Sequence, residues 1–341
     1  MPSFPDHWRR TTPISLALLP LAALFWVASS TRRAFYRLGV FKSHSVAVPV
    51  IVVGNLVVGG AGKTPLVLAL ASYLRERGHR PGIVSRGYGG TDGDRATEVK
   101  ASDDPRRAGD EAVMLASNGA SPVWIGRKRF HAAEGLLNAH PECDLILADD
   151  GLQHYALARD LEILVEDERG AGNGWLLPAG PLREPASRRV DAIVQNGAAS
   201  EPVARLRNGS PVFSMQLTFR DIREVHQPET TVDVEALRGR RLHAVAGIGN
   251  PERFFRLIEK IGLRAIPHSF ADHHRFTQRD LEIEDCDAIL MTEKDAVKCR
   301  SLHRPTACTW YAVSVRGVLD PSFYDFILTR LRGAPSGRTT A

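Results

Sequence analysis

Cysteine is scarce in this chain. The four residues, Cys143, Cys286, Cys299 and Cys308, include no Cys-x-x-Cys pair. That spacing argues against a zinc framework and implies no disulfide scaffold, so they read as reduced thiols of a cytosolic protein. An excess of one charge sign is also missing. The 44 Lys and Arg nearly balance 39 Asp and Glu, for a net charge of +5. A mild positive balance suits an anionic substrate or a membrane surface. There is no basic low-complexity tail and no RNA-type aromatic motif, so nucleic acid is not an expected partner. Long hydrophobic runs are absent as well. The best candidate lies between Thr11 and Thr31, a stretch without charge, with its apolar heart at Pro13 to Ala28. As a helix that heart is about 24 Å long, short of the ~30 Å hydrocarbon core. Pro20 would kink it.

What the chain does contain is 43% hydrophobic and 24% charged residues over 341 positions, enough for two domains of ordinary size. The dominant signal is Gly54 to Pro65. An apolar run, Val48 to Val53, leads into Val-Gly-Gly-Ala-Gly-Lys-Thr-Pro (58–65), and a helical run follows from Leu66 to Arg77. Strand, glycine-rich turn, Gly-Lys-Thr and helix form a phosphate cradle. Backbone N–H groups of Gly59, Gly60, Ala61 and Gly62 face phosphate oxygens, helped by the positive end of the following helix. Lys63 reaches the β- and γ-phosphates, Thr64 holds Mg²⁺, and Pro65 closes the loop. The strict motif has glycine where this chain has Val57. The loop implies a nucleoside triphosphate and leaves the phosphate acceptor open.

The cradle bears on the N-terminal stretch. A secretory signal peptide conflicts with a downstream site that needs cytosolic ATP. A buried core helix and a shallow membrane anchor remain open. Arg9 and Arg10 at one end and Arg32 and Arg33 at the other favour the anchor, on one face of an anionic membrane.

Further along, strands alternate with helices, which predicts a mostly parallel sheet. A short strand ends in Ser-Arg-Gly-Tyr-Gly-Gly (85–90), placing Arg86 beside the cradle at the edge where open α/β sheets bind ligands. Residues 91–107 are polar and read as a surface excursion. Asp110 and Glu111 open a helix, where an aspartate is often only a cap. Gly126-Arg127-Lys128-Arg129 begins another helix and offers basic side chains to phosphates. The strand Cys143 to Asp149, followed by Asp150, has the Walker B form, with a carboxylate at the strand tip near the Mg²⁺ site. Gln153 and His154 lie just beyond. Residues 173–185 form a rigid Pro- and Gly-rich loop with Arg183 and Glu184 at its tip. Val212 to Phe219 alternates with period two. Asp272-His273-His274 could be a metal site or a histidine proton carrier held by a carboxylate. Thr-Glu-Lys-Asp (292–295) only faintly resembles a guanine-reading motif, with its lysine misplaced, so GTP is not inferred.

These segments, taken in order, resemble one family, the tetraacyldisaccharide 4′-kinases that phosphorylate the lipid A precursor of Gram-negative bacteria. The resemblance rests on residues 58–65, 85–90, Gly-Asp-Glu (109–111), Asp-Asp-Gly-Leu-Gln-His (149–154), Pro-Ala-Gly-Pro-Leu-Arg-Glu-Pro (178–185), Ala-Asp-His-His (271–274) and Thr-Glu-Lys-Asp-Ala-Val-Lys (292–298). It implies transfer of the ATP γ-phosphate to the 4′-hydroxyl of a tetraacyldisaccharide 1-phosphate. It also implies residence at the cytoplasmic face of the inner membrane, and a monomer is expected. By carry-over, Asp110 is the general base and His273 its partner, with His274 the competing candidate. Lys63, Asp149 and Asp150 act around the triphosphate. Thr64, Asp150 and Glu184 hold Mg²⁺. Arg86, Arg129, Gln153 and Arg183 contact substrate.

The expected organisation is a hydrophobic helix (1–35), a P-loop α/β domain (36–207), linker strands (208–238), a smaller α/β domain (239–333) and a disordered tail (334–341). Domain closure is expected to bring Asp110 and His273 together. The rival readings are a P-loop GTPase or metallochaperone, and a membrane-bound nucleotide switch that recruits a partner.

Overall fold

The computed structural model describes residues 6–118, 121–197, 209–303 and 308–333. The expected tail (334–341) and the end of the first domain (198–207) lie outside them. Three helices open the chain: α1 (Asp6–Arg9), α2 (Pro13–Ala17) and α3 (Leu19–Arg37). Next come β1 (Val50–Gly54), α4 (Lys63–Glu76), β2 (Pro81–Ser85), β3 (Thr97–Val99), α5 (Pro105–Ala108) and α6 (Asp110–Ser117). They are followed by β4 (Val123–Ile125), α7 (Arg129–Ala139), β5 (Leu145–Asp149), β6 (Leu161–Asp167), β7 (Ala192–Asn196), β8 (Val212–Glu224) and β9 (Thr231–Val232). The chain then forms β10 (Leu242–Ala246), α8 (Pro251–Lys260), β11 (Ala265–Ser269), β12 (Ala288–Thr292), α9 (Glu293–Cys299), β13 (Thr309–Leu319) and α10 (Pro321–Gly333).

The thirteen strands among the described residues belong to one sheet, in the order β11-β10-β12-β13-β8-β7-β6-β1-β5-β2-β4-β3, with β9 paired to β8. β1 is central and runs parallel to β5 on one side and β6 on the other. Both faces of β1 are covered, so its five residues are buried and read as an uninterrupted apolar run. Ile51 and Val53 pack on one face with Leu66, Val67 and Leu70 of α4. Val50 and Val52 pack on the other with Leu136 and Leu152. β8 runs parallel to β7 and then antiparallel to β13, so one long strand carries the sheet from one half to the other. Its period-two pattern buries Phe213 and Met215 while Ser214 and Gln216 stay exposed.

Two local expectations change and one open alternative closes. The polar segment 91–107 is more than a surface excursion, because β3 adds antiparallel to β4 and extends the sheet, and α5 leads into α6. Pro20 separates the N-terminal stretch into two helices rather than kinking one, since proline is accommodated in the first turn of α3. α3 is also not a buried core helix: Leu21, Leu24, Trp26 and Val27 are 53, 67, 51 and 53% exposed. Among the described residues no helix is long and apolar enough to cross a membrane.

Candidate active site

β1 delivers the glycine-rich loop to the carboxyl edge of the sheet, and α4 starts at Lys63. Gly62 precedes that helix at φ 95°, a conformation that disfavours any side chain. A Cβ there would also collide with Asn196, whose Nδ2 donates to the Ala61 carbonyl at 2.9 Å. Asn55, missed in the sequence, braces the cradle from within. Its Nδ2 donates to the Gly59 carbonyl (3.0 Å), and Lys63 Nζ donates to its Oδ1 (3.2 Å). Arg169 donates to the Gly60 carbonyl.

β5 lies beside β1 with Asp149 opposite Val53, so the strand tip meets the cradle. Asp149 is fully buried, and neither carboxylate oxygen has a hydrogen-bond partner. Burial, then the nearby Glu111 charge, raise its pKa. Asp150 takes the next position in a left-handed turn (φ 49°) and behaves oppositely. Burial works to raise its pKa, but Lys63 (3.5 Å) and Arg183 (3.2 Å) outweigh it and hold the carboxylate well below the usual range. Consecutive aspartates thus occupy different electrostatic environments, one unpaired and one neutralised.

The expected base and its partner meet. Asp110 Oδ2 and His273 Nδ1 are 3.0 Å apart although 163 residues separate them. The pair is formed in this structure, so the expectation that closure assembles it is not needed for their contact. Burial pushes the Asp110 pKa up, but the His273 hydrogen bond and Lys294 bring it below its usual value. Burial lowers the His273 pKa, yet the hydrogen bond to Asp110 leaves it raised. His274 faces elsewhere, with Nε2 3.1 Å from Asp280 Oδ2. The loop after β10 touches both the cradle and the Asp272 loop: a Cβ on Gly249 would lie 3.1 Å from the Gly60 nitrogen and 3.4 Å from Asp272 Oδ2.

Several expected contacts are displaced. Arg129 is 2% exposed and donates to the carbonyls of Gly126 and Asp149, so it supports the aspartate turn from beneath instead of reaching substrate. Burial lowers its pKa to about 10. Gln153 donates to the Asn55 carbonyl and braces the cradle. Arg183 is engaged by Asp150. Glu184 does not join the strand-tip aspartates. Arg188 holds both of its oxygens at 2.7 Å and neutralises the charge that would draw a cation. Arg86 remains exposed at the sheet edge, as expected. His154 is driven to about 3 by burial and the Arg129 and Arg86 charges, so it is neutral. Lys294, Glu111 and Tyr88, which had no assigned role in the sequence, join the Asp110–His273 pair together with Asp272. Lys294 lies in the segment that fails as a guanine-reading motif, and nothing local links it to Asp110.

A phosphate cradle and a strand-tip carboxylate, with an aspartate–histidine pair beside them, define a P-loop phosphotransferase. Comparison with known proteins refines this class. The family profile Tetraacyldisaccharide-1-P 4′-kinase matches residues 14–332. The chain is 49% identical over 328 residues to the tetraacyldisaccharide 4′-kinase of Dechloromonas aromatica, covering 95% of each. It is 46% identical over 331 residues to that of Methylobacillus flagellatus, covering 95% of this chain and 94% of the relative. Among solved structures, LpxK from Aquifex aeolicus in complex with ATP superposes with a TM-score of 0.77 at 29% identity, over 93% of this chain and 99% of that one. The chain belongs to the tetraacyldisaccharide-1-P 4′-kinase family and is a kinase.

Proposed function

We propose that the chain transfers the γ-phosphate of ATP to the 4′-hydroxyl of a tetraacyldisaccharide 1-phosphate, forming the lipid A precursor lipid IVA. The observation that carries the mechanism is the 3.0 Å contact of Asp110 and His273 beside the phosphate cradle. The 4′ O–H bond breaks and its proton passes to the Asp110 carboxylate. The 4′ oxygen forms a bond to the γ-phosphorus, and the bond to the β–γ bridging oxygen breaks to release ADP. His273 orients Asp110 throughout. Lys63 and the backbone N–H groups of residues 59–62 hold the triphosphate in line, which is most of what phosphoryl transfer requires.

Mg²⁺ fits this site. A fully buried carboxylate with two unpartnered oxygens, Asp149, suits a hard cation. Among the described residues no group of three or more His, Cys, Asp or Glu side chains could hold a metal, which suits an ion bound largely by phosphates and water. Asp149 and Thr64 would hold it, with Asp150 occupied by Lys63 and Arg183 and Glu184 by Arg188. When bound, Mg²⁺ neutralises phosphate charge.

Residues 36–207 and 239–333 act as two lobes joined by the strands of 208–238, on a monomer at the cytoplasmic face of the inner membrane. The apolar, exposed α2 and α3 lie in the lipid interface, where the acylated substrate resides. Arg86 contacts the substrate at the sheet edge. Labelled ATP and the lipid disaccharide in mixed micelles test the reading, with a phosphorylated lipid expected. GTP preference, or hydrolysis without a lipid product, overturns it. Asp110→Asn should lower kcat by about 10²–10⁴ with the KM for ATP unchanged. Near-normal turnover would reject Asp110 as base.

A further inference from the structure

Asn55 directly follows β1 and is 1% exposed beneath the glycine-rich turn. The next three residues are tied to another segment. The Arg183 N–H donates to the Leu56 carbonyl, Val57 bridges Leu182, and the Val58 N–H donates to the Pro181 carbonyl. Val57 is buried where the strict motif has glycine, so that position serves packing here. The turn that is left to meet phosphate begins at Gly59.

Three side chains hold this turn by its carbonyls. Asn55 Nδ2 donates to the Gly59 carbonyl at 3.0 Å, Arg169 Nη2 to that of Gly60 at 2.8 Å, and Asn196 Nδ2 to that of Ala61 at 2.9 Å. In a planar trans peptide, the carbonyl of one residue and the N–H of the next point in opposite directions. Holding these three carbonyls therefore sets the direction of the N–H groups of Gly60, Ala61 and Gly62. Asn55 also holds Lys63, whose Nζ donates to its Oδ1 at 3.2 Å. An ammonium only donates and a carbonyl only accepts, so both contacts demand the same orientation of the amide. The backbone of Asn55 is fixed in turn, because Gln153 donates to its carbonyl at 3.3 Å. Lys63 has a charged partner as well, Asp150 at 3.5 Å. Asn55 gives the ammonium a neutral partner beside the glycine turn, in competition with that carboxylate.

We propose that Asn55 is a positioning residue for phosphoryl transfer. One amide sets the direction of the Gly60 N–H and the place of the Lys63 ammonium before ATP arrives. The proposal rests on the reading of the cradle given above. A neutral amide suits the task, because hydrogen bonds between two ionised groups are the stronger ones. Asn55 therefore yields the ammonium to a phosphate oxygen, whereas a carboxylate in its place would retain it.

Asn55→Leu keeps the approximate volume and removes both side-chain contacts. Its kcat/KM for ATP in the lipid assay should fall about a hundredfold, the scale expected when a reacting group is misplaced. In the Lys63→Met background the same substitution should cost about tenfold or less, because the ammonium it places is gone. Equal losses in the two backgrounds would show that Asn55 does not act through Lys63 and overturn the proposal. Wild-type turnover in Asn55→Leu would overturn it too. Asn55→Asp has the same shape and an added charge, and it should be at least as impaired as Asn55→Leu; wild-type turnover there also counts against the proposal. Asn55→Ser runs the same cycle if the leucine variant does not fold. Failure of both to fold would assign Asn55 to the fold alone and reject the proposal. Lys63→Met separates the two layers. Unaltered ATP binding in Lys63→Met removes the cradle reading itself, whereas weakened binding with equal Asn55→Leu losses rejects only the role of Asn55.

Discussion

Lys63 is 8% exposed and shares its charge between Asn55 and Asp150. Lys63→Met should lower kcat on the order of 10²–10³ by removing the cation aimed at the triphosphate. Fluorescent-nucleotide titration would show the accompanying loss of ATP affinity, and unaltered binding would contradict the cradle. The Asp110–His273 pair makes a pH-dependent prediction. Asp110 is depressed from 3.8, so its contribution to stability is present above that value and lost as pH falls through the folded pKa. His273 is raised from 6.5, so its contribution is present below that value and lost as pH rises through the folded pKa. The coupling in a double-mutant cycle of Asp110→Asn and His273→Gln should therefore peak between about pH 4 and 6.5. About 1 kcal/mol is expected there, since His273 is partly solvated. Denaturant unfolding at three pH values checks this, and a coupling that grows toward pH 8 would exclude it.

Elements meet through glycines whose need is steric. Gly90 and Gly109 mark where the loop after β2 lies on the residues that open α6. A Cβ on Gly90 would strike the Arg107 carbonyl, and one on Gly109 the Tyr88 carbonyl. This contact is why Ser-Arg-Gly-Tyr-Gly-Gly and Gly-Asp-Glu, separate in sequence, form one surface beside Asp110. Gly62 has the same character at the head of α4. Gly62→Ala combines a left-handed φ with a clash on Asn196 and should cost about 1–3 kcal/mol, read as a lower melting temperature. Asn196→Ala in the same chain should relieve the clash and restore only part of the loss, because the φ penalty remains. Full restoration would show that the backbone conformation is not strained.

The molecule as a whole carries one sheet and an uncovered apolar prow. Leu24 and Trp26 of α3 are exposed, with Arg32, Arg33 and Arg37 in its later turns. This arrangement suits an interfacial helix whose cations face anionic headgroups. Flotation with vesicles containing anionic phospholipid should show binding. Leu24→Glu/Trp26→Glu should weaken it by about tenfold to a hundredfold, in proportion to the apolar surface lost. Equal flotation of the variant would remove α3 as the anchor. The long strand β8 joins both halves of the sheet, so those halves share backbone hydrogen bonds as well as side-chain contacts such as Arg256 with Glu168.

The cradle, the strand tip and the alternation of strands and helices were legible in the chain because each depends on neighbours in sequence. Lys63 and Thr64 follow their glycines directly, and Asp149 ends an apolar run. Burial is different, since it depends on what folds over a residue. Arg129 reads as a basic helix start yet lies under the sheet edge, and Glu184 reads as a free loop tip yet is clasped by Arg188. The distinction between Asp149 and Asp150 was equally hidden, because partners from Lys63 and Arg183 reach only one of them. Lys294 shows the limit most plainly. Its sequence neighbours form an imperfect motif, and its meaning comes from Glu111 and His273, 183 and 21 residues away. Local chemistry set the donor site, while long-range packing decided which carboxylates are free, which histidine faces Asp110 and which cation stands beside that pair.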